Sequence, residues 1–119
     1  MATGLRLLLI EDSDADATLV LHELTRAGYD VIVERVDTAD ALRDALDRAP
    51  WDLAIADFTM PQFSGTAALS LVRERDAEMP FIFVSGTIVE DTAVAAMGTG
   101  AHDYIMKGNL KRLGPVVAR

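Results

Sequence analysis

Residues Asp52–Gly65 read DLAIADFTMPQFSG. Leu53–Ala56 is a short apolar run of the kind carried by a strand covered on both faces, yet it leads straight into the carboxylate of Asp57. A charge at the end of a buried run costs free energy unless it is paired, hydrated or bound to a metal. Asp57 is therefore either a solvated loop residue just past a strand or a group placed there for chemistry. The residues after it fit both readings. Pro61 stiffens the loop, and Gly65 allows either a positive-φ turn or a close backbone approach ahead of the next helix. Met60 reads as packing.

The same unit, a short apolar run followed by a helical pattern, recurs on both sides of this stretch. Leu5–Ile10 (LRLLLI) precedes a helix in SDADATLVLHELTRAG. Ser13 is its N-cap, Asp16 outlines a capping box, and Gly28 is a natural stop. Ala17, Val20, Leu21, Leu24 and Ala27 keep helical spacing. Val31–Val36 is the second strand, and Asp37–Ala49 a helix with Ala41, Leu42, Ala45 and Leu46 on one face. Thr66–Asp76 is the third helix, FIFVS (81–85) the fourth strand, and Glu90–Met97 a short Ala-rich helix. Tyr104–Met106 forms a fifth strand and Leu110–Arg119 a last helical stretch. Pro115 cannot donate to the carbonyl of Lys111, so a short turn is expected before a helix that restarts near Pro115. Strands alternating with helices predict an α/β fold, a flavodoxin-like doubly wound parallel sheet of order 2-1-3-4-5 with helices on both faces.

The bulk composition narrows the function. The 119 residues make one domain, 1–119, and half of them are apolar, which excludes a disordered chain. The absence of cysteine excludes disulfides and thiolate metal sites. A net charge of −8 argues against binding nucleic acid or an anionic membrane, because phosphate contacts need clustered Lys and Arg. No apolar run is long enough to span a bilayer, and MATGLRLLLIED lacks a cleavage site, so a soluble cytoplasmic protein is expected.

In such sheets ligands bind beyond the carboxyl ends of the strands. Strand one ends in Glu11-Asp12, strand three in Asp57, strand four in Ser85 and strand five just before Lys107. Singly each has an ordinary explanation: helix N-terminal acids, a turn opener, a loop serine, a solvated lysine. Together they share one rim. Three carboxylates at close range repel and raise one another's pKa unless a cation intervenes. Oxygen ligands without His or Cys suit Mg²⁺, and Lys107 and Ser85 are donors for a phosphoryl group, with a carboxylate as candidate nucleophile.

With these residues in view the chain resembles the receiver domain of bacterial two-component response regulators. The match rests on the acidic pair, on D-x-x-M-P-x-x-x-G at Asp57–Gly65, on Ser85, and on Tyr104 ahead of Lys107 in HDYIMK. The resemblance implies that Asp57 accepts phosphate from a histidine kinase or phosphotransfer protein. It implies Mg²⁺ held by Glu11, Asp12, Asp57 and the Thr59 backbone carbonyl, an ion pair from Lys107, a phosphoryl contact from Ser85, and Tyr104 as switch residue, exposed before phosphorylation and buried after it.

The chain departs from the family pattern in two places. Ser85 stands where receivers commonly carry Thr, and Gly108 follows the lysine where Pro is usual, so a trans peptide is expected there. The last helix suggests a receiver cut from a longer chain with a downstream output domain. Other classes fit less well. A flavodoxin needs a neutral phosphate-cradling first loop where this chain has EDSDAD. An Asp-nucleophile phosphatase needs a second Asp where Thr59 stands. A phosphorylation-independent docking module, which usually loses one of the acids or the lysine, and the receiver segment of a hybrid sensor kinase are the remaining alternatives.

Overall fold

The structure, a computed structural model, describes residues 2–58, 60–86, 97–98 and 100–118. Five parallel strands form one sheet in the order β2-β1-β3-β4-β5. They are β1 (Thr3–Ile10), β2 (Tyr29–Val36), β3 (Leu53–Asp57), β4 (Phe81–Ser85) and β5 (Asp103–Met106). The helices are α1 (Asp14–Arg26), α2 (Ala39–Arg48), α3 (Gly65–Arg75) and the short α4 (Leu113–Val117), which a 3₁₀ segment, Lys107–Arg112, joins to β5. The expected helix Glu90–Met97 lies outside the described residues except for Met97.

Side chains alternate across a strand, and that alternation divides the core in two. Leu8 and Ile10 of β1, Ala54 and Ala56 of β3, and Phe81 and Phe83 of β4 pack on one face with Leu42 and Ala45 of α2 and Ala68, Leu69 and Val72 of α3. Leu5, Leu7 and Leu9, Leu53 and Ile55, Ile82 and Val84 pack on the other with Ala17, Val20 and Leu24 of α1 and Leu113 of α4. Helices therefore cover both faces. β3 and β4 are buried along their whole lengths, which is why they read as unbroken apolar runs. β2 is an edge strand with Ile32 and Val33 exposed.

Each helix start follows its cap. Ser13, Thr38 and Ser64 accept from the backbone N–H of Asp16, Ala41 and Ala67. α1 stops at Ala27, and Gly28 turns the chain at φ +100°. At the C-terminus the restart comes two residues earlier than the sequence suggests. α4 begins at Leu113, which puts Pro115 in its first turn, where no intrahelical N–H is required. Gly114 is also held close, since a Cβ there would stand 2.8 Å from Ala27 Cβ.

Candidate functional site

The parallel ladder sets the carboxyl ends of β1, β3, β4 and β5 side by side. Ile10 pairs with Ala56, Asp57 with Val84, and Ser85 with Met106. The residue beyond Ile10 is Glu11, whose N–H donates to Val36 O (3.0 Å), and the residue beyond Met106 is Lys107. Glu11, Asp57 and Lys107 share the parity of the face covered by α1, whereas Ser85 and Tyr104 share that of the α2 and α3 face.

Lys107 Nζ is the centre of the polar cluster. It lies 2.6 Å from Asp16 Oδ2, 3.1 Å from Asp57 Oδ2 and 3.2 Å from Glu11 Oε1. The Glu11 contact is a charge pair rather than a hydrogen bond, because Oε1 lacks the required alignment while being fully buried. Glu11 Oε2 accepts from the N–H groups of Asp12 (3.1 Å) and Ser13 (3.4 Å). Burial, reinforced by the neighbouring Asp57, lifts the Glu11 carboxyl from an ordinary 4.5 to about 7. For Lys107 burial pulls downward, but the hydrogen bonds it donates to Asp16 and Asp57, with the negative charge of Glu11 beside them, outweigh it and hold the ammonium above its usual range.

Three carboxylates, from buried Glu11 and Asp57 and exposed Asp12, each offer an oxygen within 4.8 Å of the others. These oxygens are near enough to one another to converge on a single ion. A hard, oxygen-preferring cation fits the donor set. Thr59, the fourth ligand expected from the sequence, lies outside the described residues.

Gly65 has a definite reason. Its φ is not positive, and the requirement is proximity. A Cβ would stand 2.8 Å from Asp57 O, 2.8 Å from a Phe83 ring carbon and 2.9 Å from Phe58 Cα. Gly65 N–H donates to Phe58 O and Phe58 N–H to Val84 O, which closes the loop after β3. Met60 is buried and packs in the core, as expected.

Two expectations need correction. Tyr104, expected at the surface, is half-buried against Phe58 and Phe83, with ring centroids 5.6 and 6.4 Å away. The ladder pairs Tyr104 with Phe83, so the aromatic rings meet across the strands. Its hydroxyl is buried without a partner among the described residues. The capping box of α1 is only half formed, because the Asp16 carboxylate is on Lys107 instead of Ser13 N–H. Asp16 is thus a site residue that sequence reading assigned to helix capping. The peptide after Lys107 is trans, as expected. Ser85 is fully buried at the end of β4. A cavity of about 430 Å³ lined by Leu5, Leu53, Ile82, His102 and Val117 opens at the opposite end of the strands and has no part in this cluster.

The comparisons with known proteins agree with this geometry. The family model of the response regulator receiver domain matches residues 7–114. The response regulator protein FleR of Pseudomonas aeruginosa is 33% identical over 102 residues, covering 86% of this chain and 21% of FleR. The chemotaxis protein CheY of Bacillus subtilis is 28% identical over 102 residues, covering 86% of this chain and 84% of CheY. The signal receiver domain of a LuxO repressor protein from Vibrio parahaemolyticus superposes with a TM-score of 0.80 at 30% identity, over 96% of this chain and 87% of that one. At 20% identity and a TM-score of 0.74, the receiver domain of a Pseudomonas aeruginosa sensor histidine kinase shares the fold over 98% of this chain and 100% of that one. Its structure has a magnesium ion coordinated in the active site cleft. Among the described residues no helix is long and apolar enough to cross a membrane.

Proposed function

The chain belongs to the response regulator receiver family, and from that premise we propose that it is a phosphoacceptor of two-component signalling with Asp57 as the acceptor. The observation that carries the reading is the Lys107 ammonium 3.1 Å from Asp57 Oδ2, beside the two further carboxylates of Glu11 and Asp12.

In the transfer an Asp57 oxygen attacks phosphorus in line and forms the new P–O bond. The P–N bond of the donor phosphohistidine breaks, and its electron pair returns to the imidazole. Lys107 neutralises charge on the transferring group, and the Ser85 hydroxyl donates to one of its oxygens. Glu11, Asp12 and Asp57, with the Thr59 carbonyl, would hold Mg²⁺, which when bound supplies positive charge against the phosphoryl oxygens. The magnesium in the sensor-kinase receiver supports the assignment of this cleft. Tyr104 is the switch residue, and Ser85 couples it to the acceptor. The phosphoaspartate then hydrolyses by attack of water, so the domain catalyses its own modification.

The partner upstream is a histidine kinase or phosphotransfer protein, and the setting is the cytoplasm. Downstream we place an output module in the same chain, supported by FleR, of which this chain spans only 21%. Incubation with acetyl phosphate and Mg²⁺ followed by intact mass measurement tests the core of the proposal. One phosphoryl mass gain is expected, and none in Asp57→Asn. Full modification of that variant would sink the assignment.

A further inference from the structure

The direction of the Lys107 side chain has to come from somewhere, and its own backbone supplies little of it. Lys107 opens the 3₁₀ segment, Gly108 follows, and Asn109 departs from helical geometry (φ −132°, ψ 41°). Beside the stem lies Gly86, where an added Cβ would still be 3.9 Å from Lys107 Cδ. The shortest contact of the ammonium is to Asp16, at 2.6 Å. Asp16 is free to make it because the cap of α1 is shared out differently. Ser13 Oγ accepts the Asp16 N–H (3.2 Å), while Ser13 N–H goes to Glu11 Oε2 (3.4 Å). The Asp16 carboxylate is thereby left to reach across 91 positions of sequence to Lys107.

We propose that Asp16 is a positioning residue for the reaction at Asp57: it tethers the Lys107 ammonium to α1 and aligns it on the acceptor carboxylate. An ammonium carries three donors. One goes to Asp16 and one to Asp57, so the tether leaves the Asp57 contact in place. The oxygens close enough to share an ion come, among the described residues, from Glu11, Asp12 and Asp57. Asp16 therefore acts on the lysine and stays apart from the cation ligands. The inference rests on the reading of Asp57 as phosphoacceptor.

Asp16→Asn and Asp16→Glu are compared with wild type by the rate of phosphoryl mass gain from acetyl phosphate over a Mg²⁺ series, with Mg²⁺ affinity measured by calorimetry. Asn retains the backbone N–H that Ser13 caps. The Asn variant is expected to react about tenfold more slowly at saturating Mg²⁺, within what a hydrogen bond to a charged group is worth. Its Mg²⁺ affinity is expected to stay within about twofold, and Glu to restore most of the rate, since its carboxylate keeps the charge-assisted bond. A rate in Asp16→Asn equal to or above wild type overturns the proposal, as does a loss explained wholly by weaker Mg²⁺ binding or one that Glu leaves uncorrected. If the Asn variant does not fold, a trans-hydrogen-bond NMR coupling between Lys107 Nζ and the Asp16 carboxylate carbon in wild type decides, and its absence overturns the tether. Asp57→Asn separates the two claims. Uptake there refutes the acceptor reading, whereas a silent Asp57→Asn beside a fast Asp16→Asn refutes only the tether.

Discussion

Replacing Glu11 by Gln should flatten the pH dependence of stability in metal-free buffer. Burial, with Asp57 beside it, raises the folded-state pKa of this carboxyl from 4.5 to about 7. Between those values the folded chain holds a proton that the unfolded chain has released. Stability contributed by this group is therefore fully present below about pH 4.5 and is lost as pH rises through about 7. Ionising Glu11 in the fold costs on the order of 3 kcal/mol, at 1.36 kcal/mol for each tenfold change in proton affinity. Urea denaturation of both proteins from about pH 5 to about pH 8, in chelator, measures it. His22 and His102 are retained in both, so the difference between the two profiles isolates position 11. The Gln variant should gain on wild type progressively across the window. Saturating Mg²⁺ should shrink that advantage, because a ligand at a hundred times its Kd stabilises by about 2.7 kcal/mol and wild type offers the better site. Parallel profiles in chelator would refute the reasoning.

Two further expectations concern packing and coupling. Gly65→Ala should destabilise the fold by about 1–3 kcal/mol, since the new methyl meets the backbone of Asp57 and Phe58 below 3.0 Å; an unchanged urea midpoint would mean that α3 slides off at no cost. In Ser85→Ala, beryllofluoride should still bind at Asp57, but the NMR shifts it induces at Tyr104 and through Lys107 should shrink. Equal distant shifts in both proteins would remove Ser85 as the coupling element.

The sheet order and the two helical layers were legible because strand and helix periods differ, and because buried parallel strands read as unbroken apolar runs. The rim followed from topology alone. Once β1, β3, β4 and β5 are parallel neighbours, the residues after Ile10, at Asp57, at Ser85 and after Met106 are brought together. Asp16 was missed because helix capping offered it a sufficient local explanation. One signal was present: Asp16, Val20 and Leu24 fall four apart, so an acid occupies the rim end of a buried stripe. The inward Tyr104 ring was not legible either, since its packing depends on Phe58, a half-buried neighbour outside any strand. Trp51 stands before β3 while Asp57 ends it, about 20 Å away along an extended strand, so its fluorescence is remote from the carboxylates. It is poorly placed to report metal binding there.

The close seating of Gly65 against the carbonyl of Asp57 gives the site a stiff wall and a soft one. On one side the start of α3, the Phe58 backbone and the Phe83 ring leave no room for the main chain of Asp57 to retreat. On the other, Gly86 leaves room beside the stem of Lys107, and the lysine is followed by Gly108 and the non-helical Asn109. Any group added at Asp57 therefore has to be accommodated by side chains around the carboxylate rather than by a shift of the main chain towards α3. Slack is thus unevenly distributed around the site: Gly65 removes it on the side of α3, and Gly86 leaves it beside the lysine.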